Sequence, residues 1–377
     1  MKYIEEFRDG KLAQGLSRAL HNAVDPTRTY RFMEFCGGHT HAIARYGVED
    51  LLPKNVRMIH GPGCPVCVLP IRRVDAAIAL ATQHDVILCT YADLMRVPGS
   101  GYDSLIKARS KGADVRMVYS TLDALKIAQD NPNTQVVFFA IGFETTTPPT
   151  AAAIKRAEAL ELTNFSVYCN HVLTPAAMRA IVGKPTTEEN SGLVLDGLVG
   201  PAHVSVVIGL QPYEEFTNDY KIPVVIAGFE PLDVMQSVLQ LIRQANDGRA
   251  EVENEYTRAV TPEGNKKAQA LMEEVFEIKD TFEWRGLGFV PNSALKIRKN
   301  FEQFDAQKRF AIDVPVPQEN KACACGDILR GEKTPTDCKI FGTVCTPDNP
   351  MGACMVSSEG ACAAHWTYGR FREEQPL

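Results

Sequence analysis

Residues 33–70, MEFCGGHTHAIARYGVEDLLPKNVRMIHGPGCPVCVLP, decide how the rest of the chain is read. The run Tyr30-Arg31-Phe32-Met33-Glu34-Phe35 is apolar and strand-like, Gly37 and Gly38 follow Cys36, and a helix-compatible stretch runs from Ala42 to Tyr46. A strand, a glycine turn and a helix start place Cys36 at the mouth of an α/β unit. Outward backbone N–H groups and the helix dipole favour negative charge there. That setting is expected to lower the thiol pKa and make the sulfur a nucleophile or metal ligand rather than a small buried residue. His39 is the neighbour expected to stabilise the thiolate, ligate a metal or donate to a ligand.

The pattern recurs about two dozen residues later. Val56–His60 reads as a second strand, Gly61-Pro62-Gly63 as a turn, and Cys64-Pro65-Val66-Cys67 as the start of a helix reaching Thr82. A C-x-x-C at a helix start has the geometry of a dithiol/disulfide pair, with Pro65 near the first helical position where its missing N–H costs nothing. A structural zinc site would need a second cysteine pair, and only Cys36 or Cys89 could help supply one. Redox use of Cys64 and Cys67 is the preferred reading.

Working outward, 377 residues suffice for two or three domains. A net charge of −6 without a basic patch points away from nucleic acid and anionic membranes. The start, MKYIEEFRDG, has no apolar core of a secretion signal, and runs such as Val136–Ile141 are too short to span a bilayer, so a cytoplasmic protein is expected. In that setting eleven cysteines suit metal ligation or redox work better than structural disulfides.

Strands at 29–35, 56–60, 85–89 and 114–118 alternate with helices near 39–47, 68–83, 103–111 and 121–130. This rhythm predicts a mostly parallel sheet with helices on both faces. Past the turn Asn131-Pro132-Asn133 it repeats: strands from Gln135, Phe165, Asp196 and Ile222 end in Gly142-Phe143-Glu144, Asn170-His171, Gly200-Pro201-Ala202-His203 and Gly228-Phe229-Glu230. IGFETT resembles AGFEPL, and CGGHTHA and GPAHVS each place a histidine just past a strand end. The expected fold is α/β: two Rossmann-like parallel-sheet domains related by internal similarity, 1–130 and 131–245, plus a smaller helical, Cys-rich domain, 246–377, with helices including Ala250 to Val260. Ligands in such sheets bind outside the strand C-termini, so a cleft between the two α/β domains is the expected site. Glu144 and Glu230 read equally as helix-start carboxylates or as acid/base groups in that cleft. Cys89 and Cys169, inside strands, read as core.

Six cysteines fall in the last 55 residues, which predicts a separate metal-binding unit. The spacing is Cys325-x12-Cys338-x6-Cys345-x16-Cys362, with Cys323 and Cys354 outside it. Four thiolates suit Zn²⁺ or a [4Fe–4S] cluster. The upstream dithiol makes a cluster more useful, because it could pass electrons to a Cys64–Cys67 disulfide; spacing alone does not choose.

MEFCGGHTHAI, HGPGCPVCVLP, GFETT, PAHVSVVIG, AGFEPLD, EWRGLG and MVSSEGACAA together closely resemble the HypD family of hydrogenase maturation factors, over almost the whole chain. The resemblance implies a scaffold, in a heterocomplex with a monomer of this chain, on which the Fe(CN)2CO unit of [NiFe]-hydrogenase is assembled. It implies that Cys36 holds the iron jointly with a HypC-like chaperone. Cyanide would come from HypE, charged by HypF. A [4Fe–4S] cluster would sit on Cys325, Cys338, Cys345 and Cys362, and Cys64 and Cys67 would match a redox pair similar in concept to ferredoxin–thioredoxin reductase. Iron carrying CO and CN⁻ is soft, which suits thiolate ligation, and bound cyanide would accept hydrogen bonds from strand-end N–H groups, His39 or Thr40. Two other readings compete. One is a free-standing iron–sulfur thiol–disulfide oxidoreductase in which Cys36 is dispensable; the other is a zinc-stabilised α/β protein without redox chemistry. No G-x-G-x-x-G or Walker motif is present, although Rossmann-like halves leave nucleotide binding open.

Overall fold

The computed structural model describes residues 5–183, 194–314, 316–318 and 320–370. Its described strands form two parallel sheets and one antiparallel hairpin. The first sheet contains β1 (Tyr30–Glu34), β2 (Val56–His60), β7 (Gly197–Pro201), β8 (Val224–Ala227) and β9 (Val252–Asn254), in the order β2-β1-β7-β8-β9. The second contains β3 (Val86–Thr90), β4 (Val115–Met117), β5 (Gln135–Gly142) and β6 (Phe165–His171), in the order β4-β3-β5-β6. The hairpin pairs β10 (Phe276–Trp284) with β11 (Gly288–Ile297).

The parallel α/β class is as expected, but the strands divide differently. The chain lays down β1 and β2, builds all of the second sheet, then returns to complete the first: β1 pairs with β2 on one side and with β7 on the other, Phe32 opposite Gly197. A boundary at residue 130 therefore cuts through one sheet, since β3 and β5 on either side of it are partners, Val86 opposite Gln135. The physical reason is that β1, β3, β5 and β7 are buried nearly throughout. Strands buried on both faces read as continuous apolar runs, and nothing in such a run names its neighbour. One consequence matters for function: CGGHTHA and GPAHVS end adjacent strands, β1 and β7, of the same sheet.

Helices cover the sheets. Helix α1 (Gly10–Ala23) starts where the Asp9 carboxylate accepts the N–H groups of Lys11 and Leu12, and it packs on the helix Pro231–Asp247. Helix α2 (Gly37–Tyr46) follows β1 and ends at Gly47, whose φ of 64° is a glycine C-cap. The expected single helix from Cys64 to Thr82 is two, α3 (Pro65–Val68) and α4 (Ile71–Gln83), because Pro70 cannot continue the hydrogen-bond ladder.

The last third carries helices and the Cys-rich segment as expected, but it also holds strands. Residues 250–260 hold β9, which adds to the edge of β8, Val224 opposite Val252; only Lys266–Val275 of this region is a long helix before the hairpin begins. The Cys-rich segment is not packed apart from the α/β part. Its cysteines share one apolar core with Cys64, Cys67, Phe139, Phe282 and Trp284, and its helix Ala361–Ala364 lies on α2. No helix among the described residues is long and apolar enough to cross a membrane.

Candidate functional site: a thiol centre beside a chain of cysteines

Cys36 caps α2. Its Sγ accepts the Gly38 N–H at 3.3 Å, as expected of a thiol at a helix start. The sulfur nevertheless lies beneath the surface, 2% exposed. Burial pushes its pKa well up, the charges of Glu359 and Glu34 push the same way, and the N–H groups of Gly38 and His39 pull back without prevailing. The expected low thiol pKa is thus reversed: removing the thiolate from water outweighs two helix-end hydrogen bonds. A bound cation changes that balance, since a coordinating thiol is deprotonated outright.

Glu34, the last residue of β1, holds the backbone here. It is fully buried and accepts the Cys36 N–H at 2.8 Å, the Thr40 hydroxyl, and a bond from His60 Nδ1 at 3.0 Å. Burial works against a charged His60, but the hydrogen bond to Glu34 and its charge more than reverse this, and the imidazole pKa is raised. Gly63 passes so close that a Cβ there would sit 2.2 Å from the Cys36 backbone nitrogen. The turn before Cys64 is therefore seated against Cys36.

The histidine beside the sulfur is His203, which follows β7. Its Nδ1 is 3.5 Å and its Nε2 3.8 Å from Cys36 Sγ. Burial pulls its pKa down to about 4, with His39 adding to the effect, so the ring is neutral and keeps a lone pair for a metal. His39 is fully buried and bonds Ala227 O through Nε2 at 3.0 Å. That bond makes Nε2 the protonated nitrogen and leaves Nδ1, without a partner among the described residues, as a bare acceptor. Phe229 packs between the two rings, with centroid distances of 4.9 Å to His39 and 5.1 Å to His203.

Cys64 caps α3, its Sγ accepting the Cys67 N–H at 3.3 Å, and both cysteines are buried. Burial raises the Cys67 thiol pKa well above the ordinary value, and hydrogen bonds with Cys354 and Cys64 raise it further. Cys354 moves the other way, held down by hydrogen bonds from Cys325 and Cys67. Its Sγ lies 2.7 Å from Cys325 Sγ. Cys67 thus interacts with both Cys64 and Cys354, and Cys354 in turn with Cys325. Cys325 opens onto a cavity that Cys323, Cys338, Cys345, Cys354 and Cys362 also line. Cys338 Sγ accepts the Ala324 N–H and Cys345 Sγ the Met351 N–H, each at 3.4 Å. Among the described residues no three His, Cys, Asp or Glu side chains are grouped as for a single metal ion. Six soft donors around one cavity are a fitting set for an iron–sulfur cluster.

Comparison with known proteins adds the decisive observation. Residues 11–369 match the HypD family model, described as the hydrogenase formation hypA family. The hydrogenase maturation factor HypD of Rhizobium leguminosarum bv. viciae is 64% identical over 374 residues, 99% of this chain and 97% of that protein. Cupriavidus necator HypD is also 64% identical over 374 residues, 99% of this chain and 98% of that protein. Escherichia coli K12 HypD is 43% identical over 382 residues, 99% of this chain and all of that protein. The chain belongs to the HypD family of hydrogenase maturation factors.

In this HypD-family chain the two carboxylates singled out in sequence have different surroundings. Glu144 is buried and accepts from the Thr174 N–H at 2.9 Å and the Thr174 hydroxyl at 2.8 Å. Burial lifts its pKa to about 7, against the pull of its own and Thr174's hydrogen bonds. Glu230 ends the loop after β8 and grips Arg8 from the helical turn before α1, Nη2 to Oε1 at 2.8 Å. Cys89 and Cys169 lie inside the second sheet's core. Sequence reading named His203 and Cys354 but gave neither a role. For His203 a signal existed, the match of GPAHVS to CGGHTHA; for Cys354 there was none, because its partners come from residues 67 and 325.

Proposed function

We propose that this chain is the scaffold on which the Fe(CN)2CO unit of [NiFe]-hydrogenase is assembled, working with a HypC-like chaperone and receiving cyanide from HypE. The observation that carries the proposal is the Cys36 sulfur at the end of β1 with the neutral, partly exposed His203 ring 3.5 Å away. Iron bearing CO and CN⁻ is the cargo. A thiolate suits such soft iron, and an imidazole can ligate it or hydrogen-bond to a bound cyanide. The partner would approach on the His203 side, the edge of the pair that reaches solvent, and would keep water off the iron.

We further assign the Cys-rich cavity to a [4Fe–4S] cluster, which when bound supplies single electrons. Cys338, Cys345 and Cys362 serve as ligands with a fourth from Cys325 or Cys323. Cys325 is engaged by Cys354 at 2.7 Å; Cys323 acts on Cys345, and both Cys325 and Cys323 act on Cys362. The motif match favours Cys325 as the fourth ligand, and Cys354 beside it leads towards Cys67. The cysteine pair 64/67 then holds or gives electrons during ligand attachment, in a cytoplasmic heterocomplex with one copy of this chain.

Infrared spectra of the anaerobically purified complex test the reading. CO and CN⁻ bands are expected, together with co-purification of a HypC-like protein; their persistence in Cys36→Ala would remove the scaffold role. Cys64→Ala is expected to abolish hydrogenase maturation with fold and cluster intact. Iron and sulfide analysis separates a cluster from zinc, and Cys323→Ser against Cys325→Ser separates the two ligand sets. A free-standing oxidoreductase would keep its activity without Cys36.

A further inference from the structure

We propose that Arg285 supplies the buried positive charge that sets the reduction potential of the group held by the C-terminal cysteines, and that it ties that site to the Cys64–Cys67 segment. The proposal rests on the cluster assignment just made. Arg285 follows β10 at the turn of the hairpin and is only 8% exposed. Its backbone N–H donates to Val68 O at 2.8 Å and its Nε to Leu69 O at 3.0 Å. The residue is therefore tied to the backbone that follows Cys67. Gly286 makes room for this turn: at φ 81°, a Cβ there would lie 2.7 Å from Gly326 Cα, next to Cys325.

The rest of the guanidinium has no such use. Its Nη2 is buried without a hydrogen-bond partner among the described residues. Nor does any described carboxylate lie within ion-pair distance of it: Asp327, across the same cavity, is taken by Arg330 and Lys333, each at 2.6 Å. A buried cation with neither counter-ion nor a full set of acceptors is costly, and proteins rarely keep one. Arg285 does reach a cavity beside the one the six cysteines line. It shares a polar cavity of about 340 Å³ with Cys323 and Cys325, and its charge acts on both thiols in the direction that favours thiolate. A cluster on four thiolates is a net anion with sulfur acceptors, which supplies both things the side chain lacks. Hydrogen bonds to cluster sulfurs and nearby charge are the terms that set such potentials. A positive charge stabilises the more negative, reduced state, so Arg285 raises the potential. A purely structural Arg285 would need only the Val68 and Leu69 bonds.

The test uses the full-length protein, purified without oxygen. Arg285→Gln keeps a donor but removes the charge. It should retain iron and sulfide and titrate, by electron paramagnetic resonance, at a clearly more negative midpoint than the parent; Arg285→Lys should shift less. Equal midpoints in parent and Arg285→Gln would overturn the proposal while leaving the cluster assignment standing. If Arg285→Gln loses its cluster, the parent labelled with ¹⁵N-arginine decides: a guanidinium nitrogen coupled to the reduced cluster is expected, the coupling is lost in Arg285→Lys labelled the same way, and no coupling in the parent overturns the role. A parent with neither iron nor sulfide would sink the cluster assignment and this inference together.

Discussion

At the scale of single residues, the site is a contest between burial and local bonding. Cys36 keeps its helix-cap hydrogen bond yet has a raised thiol pKa, because two N–H groups do not repay the loss of water and the nearness of Glu359 and Glu34. His203→Ala should therefore lower iron retention tenfold or more, measured as iron per protein after gel filtration, and change stability by no more than about 1 kcal/mol, since the ring is partly exposed. His39→Ala should do the reverse in stability. It loses the Ala227 bond and the Phe229 contact, and chemical denaturation should show a loss of about 2–3 kcal/mol. Glu144 gives a pH prediction. Its folded pKa of about 7 lies above its ordinary 4.5, so the folded state binds the proton more tightly. The associated stability is complete below about 4.5, declines as pH rises to about 7, and is gone above. Glu144→Gln, which mimics the neutral acid, should remove a part of the pH 4.5–7 slope on the order of 3 kcal/mol, read from urea midpoints.

At the scale of elements, the turn 61–63 does more than connect β2 to α3. Gly63 lies where a Cβ would be 2.2 Å from the Cys36 nitrogen, and backbone cannot yield as a side chain tip can. Gly63→Ala is expected to cost about 2–4 kcal/mol and to lower iron loading by pushing Cys36 off its place; differential calorimetry and iron content check both. Most elements were legible because their signals are local. Val56–His60 and Thr121–Asp130 fall where the sequence placed a strand and a helix. The misreading of 250–260 as a helix has an equally plain cause. β9 is a three-residue edge strand, too short to show a period, and it exists because β8 offers it a ladder. The break between α3 and α4 was visible in Pro70, but the apolar pattern on both sides hid it.

At the scale of the whole molecule, the first sheet is made from both ends of the α/β region. A fragment of residues 1–130 would hold β1 and β2 without β7, and β3 and β4 without β5. Two-stranded parallel pairs are not stable alone, so this fragment should show no cooperative urea transition by circular dichroism; a sharp one would mean that the first 130 residues fold independently. The return of the chain is also what completes the site, since β7 carries His203 to Cys36, and the common core of the Cys-rich segment and α3 brings Cys354 to Cys67.

By itself the sequence determined that this is a parallel α/β chain with Cys36 and Cys64 at strand–turn–helix junctions, cysteines gathered near the C-terminus, and motifs of the HypD family. Those are properties of neighbours along the chain, fixed by apolar period, glycine turns and spacing. Tertiary structure alone decided that β1 lies between β2 and β7, that His203 rather than His39 meets the Cys36 sulfur, that Cys354 joins Cys67 to Cys325, and that burial raises thiol pKa values a helix end would lower. Each of these depends on which buried surface meets which, and interchangeable apolar strands do not carry that choice in their own residues.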